Sequence, residues 1–336
     1  MSLSRILSAR FRGSFVALAS RNARPMSSTT AVAPLLLPPD AVNKLPTTRD
    51  VKILDATWFM PNSTRNARKE FATRRIPRAQ YLDLDEVATP SELGLMHMMP
   101  SERIFANACE RFGITPSTHV ILYDGHGVFS SPRALFMFRT FGHTNSSVID
   151  GGIPRWLAEG FPIEQGEPQP THEQTTYPVP ELKTSLIQSY DQIVKNSQMS
   201  PSDTAQSLIL DARARARFDG TAPEPRPGLP SGHIPGSFSL PFTTFLREHR
   251  SPNGDTYTTM LPTPDLHRAL LNAVGPAVAE SIINGDKRII TSCGSGMTAG
   301  VLWLGLELLG AKAVALYDES WTGYALRSSS KIETST

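Results

Sequence analysis

Only two of the 336 residues are cysteine, Cys109 and Cys293. That excludes a disulfide framework and a paired CxxC metal knuckle, and it suits a reducing compartment. No run of 18 or more apolar residues occurs, so no membrane-spanning helix is expected and the membrane is not an expected partner. There is no G-x-G-x-x-G and no Walker loop, hence no nucleotide or flavin cradle. No ligand cluster with metal spacing is present either, so the expectation is no metal and no other cofactor. Acidic residues are missing from residues 1–39, which hold five arginines; from Asp40 onward 28 basic residues face 31 acidic ones. The overall charge of +2 therefore hides a slightly acidic body, and nucleic acid is not an expected partner.

What is there describes a folded protein. The chain is 40% hydrophobic and 19% charged, an ordinary composition, and its length predicts two domains, each able to bury a core. The opening stretch MSLSRILSARFRGSFVALASRNARPMSSTT is rich in Arg, Ser and Ala; wound as a helix it gathers Leu3, Ile6, Leu7 and Phe11 on one side. That profile predicts a mitochondrial transit peptide; arginines interrupt every apolar stretch that a secretory signal would need, and a plain basic tail is the alternative. APLLLPPD then reads as an extended lead-in, so residues 1–39 are assigned to address and lead-in.

The rest repeats once. VKILDATW (51–58) pairs with SLILDARA (207–214), RRIPRAQYLDLD (74–85) with GHIPGSFSLPF (232–242), HVILYDGHG (119–127) with RIITSCGSG (288–296), and FGHTNSSVIDGGIPRW (141–156) with LGAKAVALYDESWTGY (309–324). A period this long marks a duplicated domain rather than a solenoid. Residues 162–184 hold five prolines and little apolar pattern, predicting an extended surface linker between a domain at 40–161 and one at 185–330. Runs such as VILY and RIIT read as buried parallel strands. SERIFANACERFG, ALFMFRTFG and MTAGVLWLGLELLG have helical spacing and stop at glycine. The alternation predicts an α/β fold, each half a mainly parallel sheet flanked by helices.

Open α/β sheets carry their chemistry beyond the carboxyl ends of the strands. In the second half that place is RIITSCGSGMTAG, where Cys293 follows a strand, Gly294 and Gly296 let the backbone curl, and a helix follows from Met297. A sulfur there faces backbone N–H groups and the positive end of a helix, both favourable to an anion. A buried structural thiol is the bland alternative and fits Cys109 better, since such a thiol needs no glycine-flanked loop. In the first half Asp124 stands where Cys293 does, with Gly125 and Gly127 matching Gly294 and Gly296, so that copy keeps the loop without a nucleophile. The active site is therefore expected to face the interface with a silent partner domain. A cysteine phosphatase needs C-x5-R, but Ala299 occupies that position. A serine-hydrolase elbow needs G-x-S-x-G, which SCGSG lacks.

On these motifs the chain resembles the two-domain rhodanese-like sulfurtransferases, and within them the 3-mercaptopyruvate sulfurtransferases, over about residues 50–325. The resemblance is carried by DARARARFDGTAPEPR (211–226), SGHIPGSFSLPF (231–242), CGSGMTA (293–299) and YDESW (317–321). The family's mercaptopyruvate enzymes carry CGSGV[TS] at the loop, whereas its thiosulfate enzymes place two basic residues after the cysteine. The resemblance implies Cys293 as nucleophile and Ser295, His97 and Asp85 as its polar partners. It further implies Arg217 and Arg226 as holders of the substrate's carboxylate and carbonyl, with Gly294, Gly296, Met297 and Thr298 forming the rest of the pocket. Arg213 and Arg215 are expected to be structural or surface residues. The sequence departs from the family at Met297, where Val is usual, at RIPRA (75–79) in place of HIPGA, and at Glu319, where Gly is common.

The function so implied is sulfur transfer from 3-mercaptopyruvate through a Cys293 persulfide to cyanide, a small thiol or thioredoxin, with release of pyruvate. Thiosulfate:cyanide sulfurtransfer on the same scaffold is one alternative; a non-catalytic module that relays sulfur or binds partners is another. The address implies the mitochondrial matrix, with a cytosolic form also compatible.

Overall fold

The computed structural model describes residues 32–335, apart from 49, 168–174, 201, 252–253 and 313. The transit-peptide expectation for the first 30 or so residues lies outside the described residues. The first half builds one sheet from β1 (Leu36–Leu37), β2 (Val51–Asp55), β3 (Gln80–Tyr81), β4 (His119–Tyr123) and β5 (Ser146–Ile149). The second contributes β6 (Ile187–Gln188), β7 (Leu208–Asp211), β8 (Phe238–Ser239), β9 (Leu246–Arg250), β10 (Thr256–Met260), β11 (Ile289–Ser292) and β12 (Val314–Tyr317). The first sheet runs β1-β5-β4-β2-β3 and the second β6-β12-β11-β7-β8, both parallel throughout. Position for position the two orders are the same, so the repeat is a duplication of topology as well as of sequence. β9 and β10 form an antiparallel hairpin outside both sheets.

The central strands β4 and β11 are buried along most or all of their length, which is why they read as unbroken apolar runs. SERIFANACERFG folds as Glu102–Arg111, with Ser101 capping the Ile104 N–H and Gly113 taking φ +67° after its end. The two helices that follow the glycine loops, Ser131–Thr140 and Ala299–Leu308, are buried around most of their circumference because each is packed against the other. A Cβ at Gly300 would lie 2.7 Å from the Arg133 nitrogen, so glycine is what lets the two helix starts approach. The second helix begins at Ala299 rather than Met297, which lengthens the loop by two residues.

The boundaries shift at their edges. Leu36 and Leu37 pair with Val148 and Ile149, so the end of the lead-in is already an edge strand of the first sheet. The segment after the linker's undescribed part packs on the first domain: Tyr177 is buried, and its hydroxyl meets His143 Nδ1 at 2.9 Å. At the far end Glu333 pairs with His233, beyond the boundary expected at 330. Arg78 occupies the turn position that Gly236 holds in the second half, and both are left-handed, at φ +65° and +74°.

Each domain reaches across to the other. Asp150 accepts a hydrogen bond from the Met260 N–H at the end of the hairpin, and Asp318 accepts one from the Met99 N–H. The hairpin thus closes over the first domain's strand ends, while the segment around His97 closes over the second's.

Candidate active site

Cys293 directly follows β11 with only 2% of its surface exposed, and the Gly296 N–H donates to its sulfur at 3.1 Å. Gly296 has φ +84°, and a Cβ there would meet the Asp318 carbonyl at 2.8 Å, so the turn requires glycine on two counts. The loop is pinned from the segment after β12. Ser320 Oγ accepts from the Cys293 N–H, the Trp321 N–H donates to the Cys293 carbonyl, and the Thr322 N–H and hydroxyl both donate to the Gly294 carbonyl. Met297 is expected at the substrate pocket, but its side chain is buried in the core cluster, so only its backbone belongs to the loop. Thr298 stands immediately before the following helix and makes no side-chain capping bond to it.

The first domain shows what such a loop is shaped to hold. There the Asp124 carboxylate, fully buried, accepts hydrogen bonds from the backbone N–H groups of His126, Gly127, Phe129, Ser130 and Ser131 and from the Ser131 hydroxyl. An internal anion fills the cradle in the silent copy.

Above the second loop, two guanidiniums converge. A Cβ on Gly294 would lie 3.3 Å from Arg217 Nη2 and 3.7 Å from Arg226 Nη1. Arg217 is held by a two-point hydrogen bond from Nε and Nη2 to Glu224. Burial lowers the Arg226 guanidinium, with an opposing pull from the facing Cys293, though an arginine stays charged at any working pH. Arg213 is structural: 2% exposed, it is paired with Asp211 and Glu224. Arg215 pairs with Asp219 at the surface.

His97 comes from the first domain. Its Nε2 lies 2.9 Å from Ser295 Oγ and 2.8 Å from the Ser295 carbonyl, and its Nδ1 lies 3.0 Å from Asp85 Oδ1. Asp85 also accepts from Trp58 Nε1. Burial would raise the Asp85 carboxyl, but the hydrogen bonds from His97 and Trp58 outweigh it and hold it below its ordinary value. The Asp85 carboxylate and the Ser295 carbonyl are both acceptors, one facing each ring nitrogen of His97. His97 itself is left-handed, at φ +46°, and its carbonyl accepts from Arg133 Nη2 at 2.8 Å. Arg133 also pairs with Asp318, the residue that receives the Met99 N–H.

The structure therefore gathers Cys293, Ser295, His97, Asp85, Arg217, Arg226, Gly294 and Gly296 in one place. Sequence reasoning missed Glu224, Trp58, Arg133 and the clamp of Asp318, Ser320 and Thr322. The last three lie in or beside the YDESW motif, which pointed at them without saying what they touch. Among the described residues no group of three or more His, Cys, Asp or Glu side chains is placed to hold a metal, and no helix is long and apolar enough to cross a membrane.

Comparison with known proteins gives one consistent picture. The sequence pattern of the rhodanese-like domain matches residues 38–159 and 194–327. The chain is 41% identical over 275 residues to the probable 3-mercaptopyruvate sulfurtransferase of Schizosaccharomyces pombe, covering 82% of this chain and 86% of that one. It is 39% identical over 302 residues to thiosulfate/3-mercaptopyruvate sulfurtransferase 1, mitochondrial, of Arabidopsis thaliana, covering 84% and 74%. Among solved structures it resembles the SseA 3-mercaptopyruvate sulfurtransferase of Escherichia coli, with a TM-score of 0.69 and 29% identity, over 86% of this chain and 99% of that one.

Proposed function

The chain belongs to the rhodanese-like family, with two copies of its domain, and we propose that it is a sulfurtransferase taking sulfur from 3-mercaptopyruvate. The observation that carries the donor choice is the convergence of Arg217 and Arg226 over Gly294 beside an uncharged CGSGMT loop. A donor with its carboxylate some atoms away from its sulfur matches that separation of charge and thiol. A compact dianion such as thiosulfate gains more from cations inside the loop.

In this reading Arg217 and Arg226 seat the carboxylate and carbonyl of the donor. The Cys293 thiolate attacks the donor sulfur; an S–S bond forms, the C–S bond breaks, and its electron pair leaves on carbon as the enolate of pyruvate. The enolate takes up the proton that the donor thiol brought, relayed at Ser295 Oγ with His97 and Asp85 behind it. The outer sulfur of the Cys293 persulfide then lies among the loop's N–H groups, in the cradle that the Asp124 carboxylate fills in the first domain. Cyanide, a small thiol or thioredoxin attacks that sulfur and restores the thiolate.

Steady-state pyruvate release with 3-mercaptopyruvate, set beside thiocyanate formation from thiosulfate and cyanide, tests the proposal. Efficiency should be at least about tenfold higher with mercaptopyruvate, a factor equivalent to about 1.4 kcal/mol. Preference for thiosulfate would favour the other donor in the name of the Arabidopsis thaliana relative; turnover with neither would leave a binding module. That relative is also named as mitochondrial, which supports import through the opening segment. A reporter carrying residues 1–39 that stayed cytosolic would refute it.

A further inference from the structure

The silent domain keeps more of the site than its loop. At the strand ends of the first sheet lies a cleft of about 360 Å³, bounded by Asp55, Arg65, Phe71, Arg74, Leu157 and Asp255. Gly125 corresponds to Gly294, and a Cβ on it would lie 3.6 Å from Arg65 Nη2, as one on Gly294 lies 3.3 Å from Arg217 Nη2. Arg65 donates from Nε and Nη2 to the two oxygens of Glu70, at 2.7 and 2.6 Å, the same fork that Arg217 makes with Glu224. The cleft is also closed in the same way, by a segment of the opposite domain. Here the turn of the β9–β10 hairpin supplies Asp255, as the segment around His97 closes the catalytic site. One half of a substrate site therefore survives without its nucleophile: an oriented guanidinium beside a glycine loop.

Two differences set what such a cleft would take. The loop's amide cradle is already filled by Asp124, so there is no room for a second anionic end. The acid–base balance also differs. Asp211 in the second half is paired with Arg213, whereas its counterpart Asp55 is held by the N–H and hydroxyl of Thr57 and by the Tyr123 hydroxyl. Besides the Arg65–Glu70 pair, the cleft lining carries a cation at Arg74 and a carboxylate at Asp255. Paired cationic and anionic edges around a small space with an apolar wall at Phe71 and Leu157 match a zwitterion better than a bare carboxylate.

We infer that the first-domain cleft is a non-catalytic binding site for a free α-amino acid with a small side chain. Its carboxylate lies on Arg65 and Arg74, and its ammonium group is turned toward Asp255. The inference rests on the proposed function only for the reading of Arg217 as a carboxylate receptor.

L-alanine and pyruvate, which differ in carrying an amine or a carbonyl at the same carbon, are the probes. Each is titrated by calorimetry into the full-length chain and its Arg226→Ala, Arg65→Met and Asp255→Asn variants. L-alanine should bind the unaltered chain and Arg226→Ala alike, and weaken at least about tenfold in Arg65→Met and in Asp255→Asn, the loss expected for a charge-assisted hydrogen bond. No saturable L-alanine binding would overturn the inference, as would binding lost in Arg226→Ala but kept in Arg65→Met. Pyruvate binding as tightly as L-alanine in an Arg65-dependent way would overturn the ligand class. Mercaptopyruvate turnover of Arg226→Ala is read separately. If it is undiminished, the proposed function fails whether or not the cleft binds L-alanine.

Discussion

Arg133 of the first domain and Asp318 of the second form an ion pair directly behind the catalytic loop, with their side chains 2% and 14% exposed. The pair fixes two things. Arg133 holds the carbonyl of His97, whose left-handed backbone aims Nε2 at Ser295, and Asp318 holds the N–H of Met99 two residues on. The proposed active site is thus assembled across the domain interface, and the ion pair keeps its halves in register.

Removing one partner of a buried pair strands the other, at a cost of roughly 3–5 kcal/mol. Arg133→Met should lower the urea midpoint accordingly and reduce kcat with mercaptopyruvate more than it raises KM, because the substrate arginines are untouched. Arg133→Lys, which keeps the charge without the fork, should fall between. A folded Arg133→Met chain with unchanged kcat would contradict the positioning role.

The two thiols should differ sharply. Burial pushes the Cys109 thiol well above its ordinary value, with a smaller push from Glu110. Alkylation near neutral pH followed by peptide mapping should label Cys293 first. Cys293→Ser should abolish transfer and persulfide formation, and Cys109→Ser should leave both nearly intact.

The arginines sort into three groups. Arg217→Ala and Arg226→Ala should each cost about 10- to 150-fold in kcat/KM, equivalent to the roughly 1.5–3 kcal/mol of a lost charge-assisted hydrogen bond. Arg215→Ala, at the surface, should change little. Arg213→Ala should destabilise instead, since it leaves Asp211 and part of Glu224 unpaired in the interior. Denaturation midpoints measured beside the kinetics separate the two kinds of loss.

Asp55 gives stability an acid-side component. Burial raises its carboxyl to about 7, against hydrogen bonds from Thr57 that act to lower it. The folded chain then binds a proton that the unfolded chain has already released. The associated stability is complete below about pH 4 and is lost as pH rises through about 7. At about 1.4 kcal/mol per unit the span is a few kcal/mol. Asp55→Asn keeps an acceptor for Thr57 and should flatten the fall in urea midpoint between about pH 4 and 7; an unchanged slope would assign that fall to other groups.

Arg78 stands where the second domain uses glycine, with φ +65°. Arg78→Gly should relieve the left-handed strain and raise stability by up to about 1 kcal/mol, read as a higher Tm with activity unchanged.

Much of this was legible in one dimension because it is local. The buried runs of β4 and β11, the Ser101 cap and the glycine stops report elements through their own periodicity and turn chemistry. The duplicated motifs pointed to two like domains, and Cys293 between a strand and two glycines marked the place of the proposed nucleophile. The residues that touch across the chain were not legible in that way. His97 and Ser295 are 198 positions apart, and Arg133 and Asp318 are 185 apart. Arg213 and Arg217 look alike in RARAR (213–217), and only packing makes one a buried strut and the other a guanidinium over the loop. Composition and spacing set which elements form and which loop carries a sulfur. Which side chains face that sulfur follows from how two domains of the same strand order pack through their central helices and close each other's strand ends, a contact that no local pattern encodes.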